Sequence, residues 1–261
     1  MEIQKVSWTV PGRRLTAAGG SVVGHRYRDN YDVLHLDAGR TLAVIADGMG
    51  DGPGSAIAGR TAVDVFVRET GPAGAGPAGL RAGVAQVQRE VRRAGRDLRE
   101  LTGCTLTAFV SDPGSAGDGA PAAWIVQLGD SRAYRLRNGL LELLTVDHTV
   151  AWLGVLHGWF ALDSPEAHTA RYRLTRYAGH PDEPEPDLLN VTLHPGDIYL
   201  LCTDGVADQL SYEHLAQILG ATPDPGAAVH SVLADTLTAG GTDNATAVVV
   251  RVEWTVADGR T

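Results

Sequence analysis

Residues 3 to 10 and 15 to 24 carry the apolar and polar texture of strands, and Val33-Leu34-His35-Leu36 alternates strictly. An unbroken apolar run follows from Leu42 to Ala46, after a turn at Asp37 to Arg40. This succession predicts a meander of strands and not a strand-helix-strand crossover. Ser55 reads as the N-cap of a helix over 56–69, with Ala56, Ile57, Ala62, Val63 and Phe66 on its inner face and Gly71 as its stop. Beyond a Pro/Gly/Ala connector that runs to Gly79, Leu80, Val84, Val87, Val91, Ala94, Leu98 and Leu101 recur four and three apart with Arg and Glu between them. That spacing predicts one amphipathic helix of about six turns, packed on a sheet.

Strands are expected at 104–110 and 122–128, around a Gly/Pro/Asp-rich loop from 112 to 121. Asn138-Gly139 is a two-residue hairpin signal leading into Leu140 to Leu144. From 147 to 186 the periodicity weakens while Pro, His and acidic residues become frequent, which suits a flap over the sheet rim or an ordinary surface excursion. Strands resume at 188–193 and 197–203. Helices fit 212–219, capped by Ser211 and ended by Gly220, and 226–238, and a last strand fits 245–254. Around ten strands in hairpins, interrupted by two helix pairs, imply an α+β domain of two antiparallel sheets back to back with helices outside.

At 261 residues and 44% apolar content, residues 1–261 suit a single domain with a real core. The net charge of −9, without any run of Lys and Arg, argues against binding to nucleic acid or to acidic lipid. Cys104 and Cys202 lie in strand-like segments without metal-type spacing and read as reduced core thiols, and no stretch of about 18 apolar residues occurs. A soluble, cytoplasmic protein is expected.

The chemistry gathers where apolar runs meet acids. Leu42 to Ala46 ends at Asp47-Gly48-Met49-Gly50, Ile198 to Thr203 ends at Asp204-Gly205, and Gly240-Gly241-Thr242-Asp243-Asn244 precedes the last strand. Each acid alone reads as well as a turn former. If their strands are neighbours, the three reach one rim, and Asp130 in Gly129-Asp130-Ser131-Arg132 is a fourth candidate. Clustered carboxylates repel each other, whereas hard divalent cations take oxygen ligands and keep several waters, so a two-metal oxygen site accounts for the pattern economically.

Taken in order, Asn30-x-Asp32, Asp47-Gly48-Met49-Gly50, Gly103-x-Thr105, Gly129-Asp130-Ser131-Arg132-x-Tyr134, Asp147-His148, Asp204-Gly205 and Gly241-x-Asp243-Asn244 resemble the metal-dependent serine/threonine protein phosphatases of the protein phosphatase 2C type, in their bacterial form. The resemblance runs from about residue 17 to residue 253. It implies a four-layer αββα sandwich with a binuclear Mn²⁺/Mg²⁺ centre that hydrolyses phosphoserine and phosphothreonine with a metal-activated water. By the same resemblance Asp47 bridges two ions, the Gly48 carbonyl binds one, and Asp204 and Asp243 hold the other. Asp32 touches the centre through a coordinated water, Asp130 joins Asp204 in a third site, and Asn244 orients its neighbours. The implied partner is a phosphorylated protein, opposite a serine/threonine kinase, with the phosphatase a monomer. His25, His148 and His180 are candidate general acids.

The chain departs from the family at the phosphate-binding position. Many relatives have Arg three residues before the Asn; here that residue is Tyr27, between Arg26 and Arg28. In a regular strand Tyr27 and His25 would face the metals and the two arginines would face away, so substrate binding is assigned to Arg26, Arg28, Tyr27 and His25 together. Asp51 also stands where relatives usually have Gly. Two rival readings are a catalytically silent module that binds a phosphoprotein or nucleotide, and a metal-dependent phosphodiesterase or nuclease. The retained acids argue against the first, and the acidic net charge against the second.

Overall fold

The computed structural model describes residues 1–71, 76–112 and 122–255. The segments 72–75 and 113–121, parts of the connector and loop expected from the sequence, lie outside the described residues.

Two antiparallel sheets stack face to face. The first has the order β1-β2-β11-β10-β7-β8, from Ile3–Val10 (β1), Arg13–Val22 (β2), Ala245–Trp254 (β11), Ile198–Cys202 (β10), Arg132–Arg137 (β7) and Leu140–Leu143 (β8). The second has the order β3-β4-β5-β6-β9, from Asp32–Leu36 (β3), Leu42–Asp47 (β4), Leu106–Asp112 (β5), Ala122–Leu128 (β6) and Asp187–Thr192 (β9). Between them lies a core that includes Trp8, Leu15, Phe109, Tyr199, Val248 and Val250, with the Phe109 and Tyr199 rings 5.2 Å apart. Both faces of the central strands are covered, which is why β4, β10 and most of β11 read as continuous apolar runs instead of alternating ones.

Helices Pro53–Glu69 (α1) and Pro77–Ala94 (α2) bury Phe66, Leu80, Val84, Val87 and Val91 against the outer face of the second sheet. Tyr212–Ala221 (α6) and Pro225–Thr238 (α7) do the same for the first through Leu215, Leu219, Val229, Val232 and Leu233. This is the expected αββα arrangement. Asn138 and Gly139 both have positive φ, 51° and 81°, the backbone of a two-residue hairpin that matches strand twist.

Two expectations are corrected. Helix α1 begins at Pro53 with Gly52 as its N-cap, so Ser55 lies inside the first turn, where its hydroxyl donates to the Met49 carbonyl at 2.6 Å. The cap comes from elsewhere: Glu100 Oε1 accepts from the Gly54 amide at 2.6 Å and sets a carboxylate at the positive end of the helix. Helix α2 stops at Ala94, about two turns short of the expected end, because the chain turns back at Gly95 and Thr102 packs over the helix end. The weakly patterned segment from 147 holds two short helices, Val150–Leu156 (α3) and Pro165–Ala170 (α4), capped by Thr149 and Ser164. A single helical turn at Asp204–Ala207 (α5) completes the described elements. Among the described residues no helix is long and apolar enough to cross a membrane.

Candidate metal centre

The buried run of β4 carries Asp47 to the rim, and the antiparallel register sets Asp32, at the start of β3, directly across from it. In the facing sheet, β10 ends at Cys202 and delivers Asp204 as the first residue of the single turn α5. Asp243 sits just before β11, the strand that pairs with β10, and Asp130 lies in the β6–β7 turn. Asp47, Asp130, Asp204 and Asp243 line one cavity of about 240 Å³ together with Gly48, Thr105 and Asn244. The convergence expected from three distant acids is therefore present, and the fourth joins them.

Asp47 and Asp204 come from opposite sheets, line the same cavity, and act on each other's ionisation. Two buried carboxylates share a cavity only with a proton or a cation between them. Burial, then repulsion from Asp32 and Asp204, pushes Asp47 well above the ordinary carboxylate range. Burial raises Asp204 to about 6, its interaction with Asp47 opposing and repulsion from Asp243 and Asp208 adding. Asp130 is pushed well up by burial and by Asp204 and Asp147, and Asp243 is raised by burial.

Asp32 stands behind this cavity, buried, and opens instead on a cleft lined by Ser21, Asn30 and Arg60. Burial raises it to about 7, against hydrogen bonds to its Oδ2 from Thr246 Oγ1 at 2.7 Å and Thr203 Oγ1 at 2.9 Å. Its Oδ1, and Oδ1 of Asp204, are buried without a hydrogen-bond partner among the described residues. The nearby cations are engaged elsewhere: Arg132 forks onto Asp147, and Arg171 pairs with Asp208.

This donor set fits hard divalent cations. All donors are oxygen, the charge is uncompensated, and two buried carboxylate oxygens lack partners. Among the described residues no three acidic, His or Cys side chains form a closed cage around one point. An open set suits an ion that keeps most of its waters and takes one or two carboxylates.

The surroundings explain several motif residues. Thr105 braces Asp47 from both sides, its hydroxyl accepting from the Asp47 amide and its own amide donating to the Asp47 carbonyl, each at 2.9 Å. Asn244 acts as an orienter: its Oδ1 accepts from the Tyr31 amide at 2.8 Å and its Nδ2 donates to the Asp29 carbonyl at 3.2 Å, fixing the loop before Asp32. Its amide donates to Asp243 Oδ1 at 2.8 Å.

The loop at 23–31 overturns the alternation argument, because β2 ends at Val22 and the loop is irregular. Its backbone docks on the Asp243 loop through His25 N–H to Gly241 O and Arg26 N–H to Thr242 O. Tyr27 lines the cavity, as expected, but His25 does not; it is exposed and its Nε2 lies 3.3 Å from the Leu237 carbonyl. Arg26 stacks 5.3 Å from the Tyr27 ring centroid and its charge partly offsets the rise at Asp243, but the side chain is exposed and does not line the cavity. Arg28 is exposed and does not line the cavity. Asp51 uses its carbonyl to accept from the Tyr31 hydroxyl at 2.6 Å. No histidine lines the cavity among the described residues: His148 is buried in a network with Gly129 and Asp187, and His180 packs on Tyr177. Sequence reasoning missed Leu101, Tyr172 and Leu174, which also line it; the last two follow α4 and were hidden by that segment's weak pattern.

A family model described as Protein phosphatase 2C matches residues 21–239. The chain is similar to the serine/threonine protein phosphatase PstP of Mycobacterium tuberculosis, 32% identical over 222 residues, covering 82% of this chain and 41% of that relative. It thus spans well under half the length of that protein. It is also similar to the protein phosphatase PhpP of Streptococcus pneumoniae, 27% identical over 240 residues, with 87% and 94% covered. Among solved structures, the PPM Ser-Thr phosphatase MsPP of Mycobacterium smegmatis superposes with a TM-score of 0.78 at 31% identity, covering 90% of this chain and 97% of that one. The catalytic domain of PstP in complex with two manganese ions gives 0.74 at 31% identity, covering 92% and 99%.

Proposed function

The chain belongs to the protein phosphatase 2C family, and on that premise we propose that it removes phosphate from phosphoserine and phosphothreonine in proteins, with two Mn²⁺ or Mg²⁺ ions as cofactors. The observation that carries the reading is the meeting of Asp47 and Asp204, one from each sheet, in a buried all-oxygen cavity. Asp47, the Gly48 carbonyl, Asp204 and Asp243 would hold the paired ions, and Asp130 with Asp204 would offer a further, weaker position. When bound, such ions lower the pKa of a water and offset charge on the phosphoryl oxygens.

The chain's own residues supply the positioning. Thr105 fixes the Asp47 backbone, while Thr203 and Thr246 hold Asp32 by one oxygen and leave the other without a partner among the described residues. Tyr27 and Arg26 replace the usual phosphate-binding Arg: the phenol forms a wall of the cavity and the guanidinium lies against it. The segment 147–186 acts as a flap whose Tyr172 and Leu174 close one side. The protein works as a cytoplasmic monomer opposite a serine/threonine kinase. The silent-module reading is disfavoured by the presence of all five acids.

Hydrolysis of p-nitrophenyl phosphate tests the proposal. It should require Mn²⁺ or Mg²⁺, stop with EDTA, and vanish in Asp204→Asn. Activity that survives chelation and the substitution would refute it.

A further inference from the structure

A second cavity, of about 640 Å³, opens between the two flap helices and the β7–β8 hairpin. Its walls are mainly apolar, with Val155, Ala167 and Leu143 among them, and Trp152 and Leu162 at an exposed mouth. The volume lies within the range of ligand pockets and exceeds that of the acid cavity. The two arginines in its wall are already paired, Arg132 with Asp147 and Arg171 with Asp208, and Asp163 adds an acid at the wall, so the site is ill suited to an anionic ligand.

Its position is the informative part. A small cleft lined by Asp130, Tyr172 and Asp204 adjoins the acid cavity, and the same cleft shares Arg132, Thr149 and Arg171 with the apolar cavity. The apolar chamber therefore lies beside the acids, with only a shared set of wall residues between them. Apolar surface continues outside it, where Leu153, Leu156 and Trp159 are exposed on and just after α3. Contiguous exposed apolar surface of this kind marks a site for another protein.

We propose that this chamber is a specificity subsite that takes a large apolar side chain of the phosphoprotein substrate, a few residues from the phosphorylated one. The inference rests on the phosphatase reading above. Bulky aliphatic or aromatic residues fill the chamber, whereas Ala leaves it wet, and selectivity of roughly 10- to 100-fold in kcat/KM follows from the apolar area buried.

The test is a panel of phosphothreonine peptides with Ala flanks, in which Leu or Phe is moved one position at a time on either side of the phosphoresidue. With Mn²⁺ present, one register should be cleaved at least about 10-fold better than the all-Ala peptide. Leu162→Asp, which sets a charge at the mouth, and Val155→Trp, which fills the chamber, should each bring that ratio within each variant close to one. The all-Ala peptide serves as the folding control. Equal cleavage of every peptide by an enzyme that hydrolyses p-nitrophenyl phosphate overturns the subsite and leaves the phosphatase reading standing. So does a preference that persists in both variants. Failure to hydrolyse p-nitrophenyl phosphate or any peptide overturns both.

Discussion

His148 sits between the Gly129 amide, which donates to its Nδ1 at 3.1 Å, and Asp187, whose Oδ2 lies 3.0 Å from its Nε2. The amide donor fixes the tautomer: Nδ1 accepts, so Nε2 carries the proton and gives it to Asp187. A neutral ring satisfies both contacts, and a protonated ring would turn Nδ1–H against the amide N–H.

The pH dependence follows. Burial lowers His148 from its ordinary 6.5, so the unfolded chain takes up this proton before the folded one does. The stability from the neutral ring is complete above pH 6.5 and falls as the pH drops from there toward the lowered folded value. Asp187 acts later: burial raises it, but hydrogen bonds from His148 and Arg176 outweigh that and leave it below 3.8, so its contribution is lost only in stronger acid. Urea midpoints from pH 7 to 5 carry an opposing gain from the buried acids in both proteins, so the difference is the readout: the wild type should lose stability relative to His148→Gln as the pH falls, by at most about 1.4 kcal/mol per pH unit. Equal slopes would contradict the neutral-ring assignment.

Asp204→Asn should act in opposite directions on activity and on metal-free stability. The carboxylate is raised to about 6 by burial, so at pH 8 the folded chain bears an ionised acid that it would rather hold neutral. In EDTA the variant should gain on the order of 2 kcal/mol in urea unfolding. In Mn²⁺ the wild type should gain stability with ion concentration, about 2.7 kcal/mol at a hundred times the dissociation constant, while the variant responds far less.

Thr246→Val removes one of the two hydroxyls on Asp32 Oδ2 without changing side-chain size. It should cost about 1–3 kcal/mol and weaken Mn²⁺ activation roughly 10-fold or more, read as the Mn²⁺ concentration for half-maximal rate. Thr246→Ser, which keeps the hydroxyl, should stay near wild type. Equal loss in both variants would mean that packing of the methyl, not the hydrogen bond, is what matters.

Gly205 lies against the Asn244 backbone so closely that an added Cβ would stand 1.9 Å from the Asn244 carbonyl oxygen. Backbone cannot move aside there without displacing Asp204 and Asp243 together. Gly205→Ala should therefore lose at least about 2 kcal/mol and lower activity by more than its stability loss alone explains, measured below the melting transition. A variant with wild-type rate and midpoint would show the contact to be soft.

Tyr27→Arg should strengthen phosphate binding. It sets a forked cation in the wall of the acid cavity, where the phenol now stands. Competitive inhibition by inorganic phosphate should tighten several-fold, on the order of 1 kcal/mol for a partly solvated charged hydrogen bond. No change would assign that role to Arg26.

The acids and the sheets were legible in the sequence for one reason. Buried strands such as β4 and β10 are unbroken apolar runs, and their abrupt end at Asp47 and near Asp204 marks the rim of the sandwich. What stayed hidden was set by contacts far apart in the chain. The cap of α1 comes from Glu100, 46 residues beyond Gly54, and no local pattern announces it. Helix α2 stops while its heptad-like spacing continues, because Thr102 folds back over Gly95. The loop at 23–31 defeated alternation because its backbone follows the Asp243 loop and not a strand partner. Helices α3 and α4, seven and six residues long, are too short to show a period.

Strand β11 lies between β2 and β10, carries Thr246 to Asp32, and follows directly on Asp243. On the ribosome, the earlier strands of that sheet emerge with a gap where β11 belongs, and the acids of the two halves have nothing to register them. The proposed centre therefore depends on that one strand as much as on its acids, and a chain without it would have the parts of the site and no frame to hold them together.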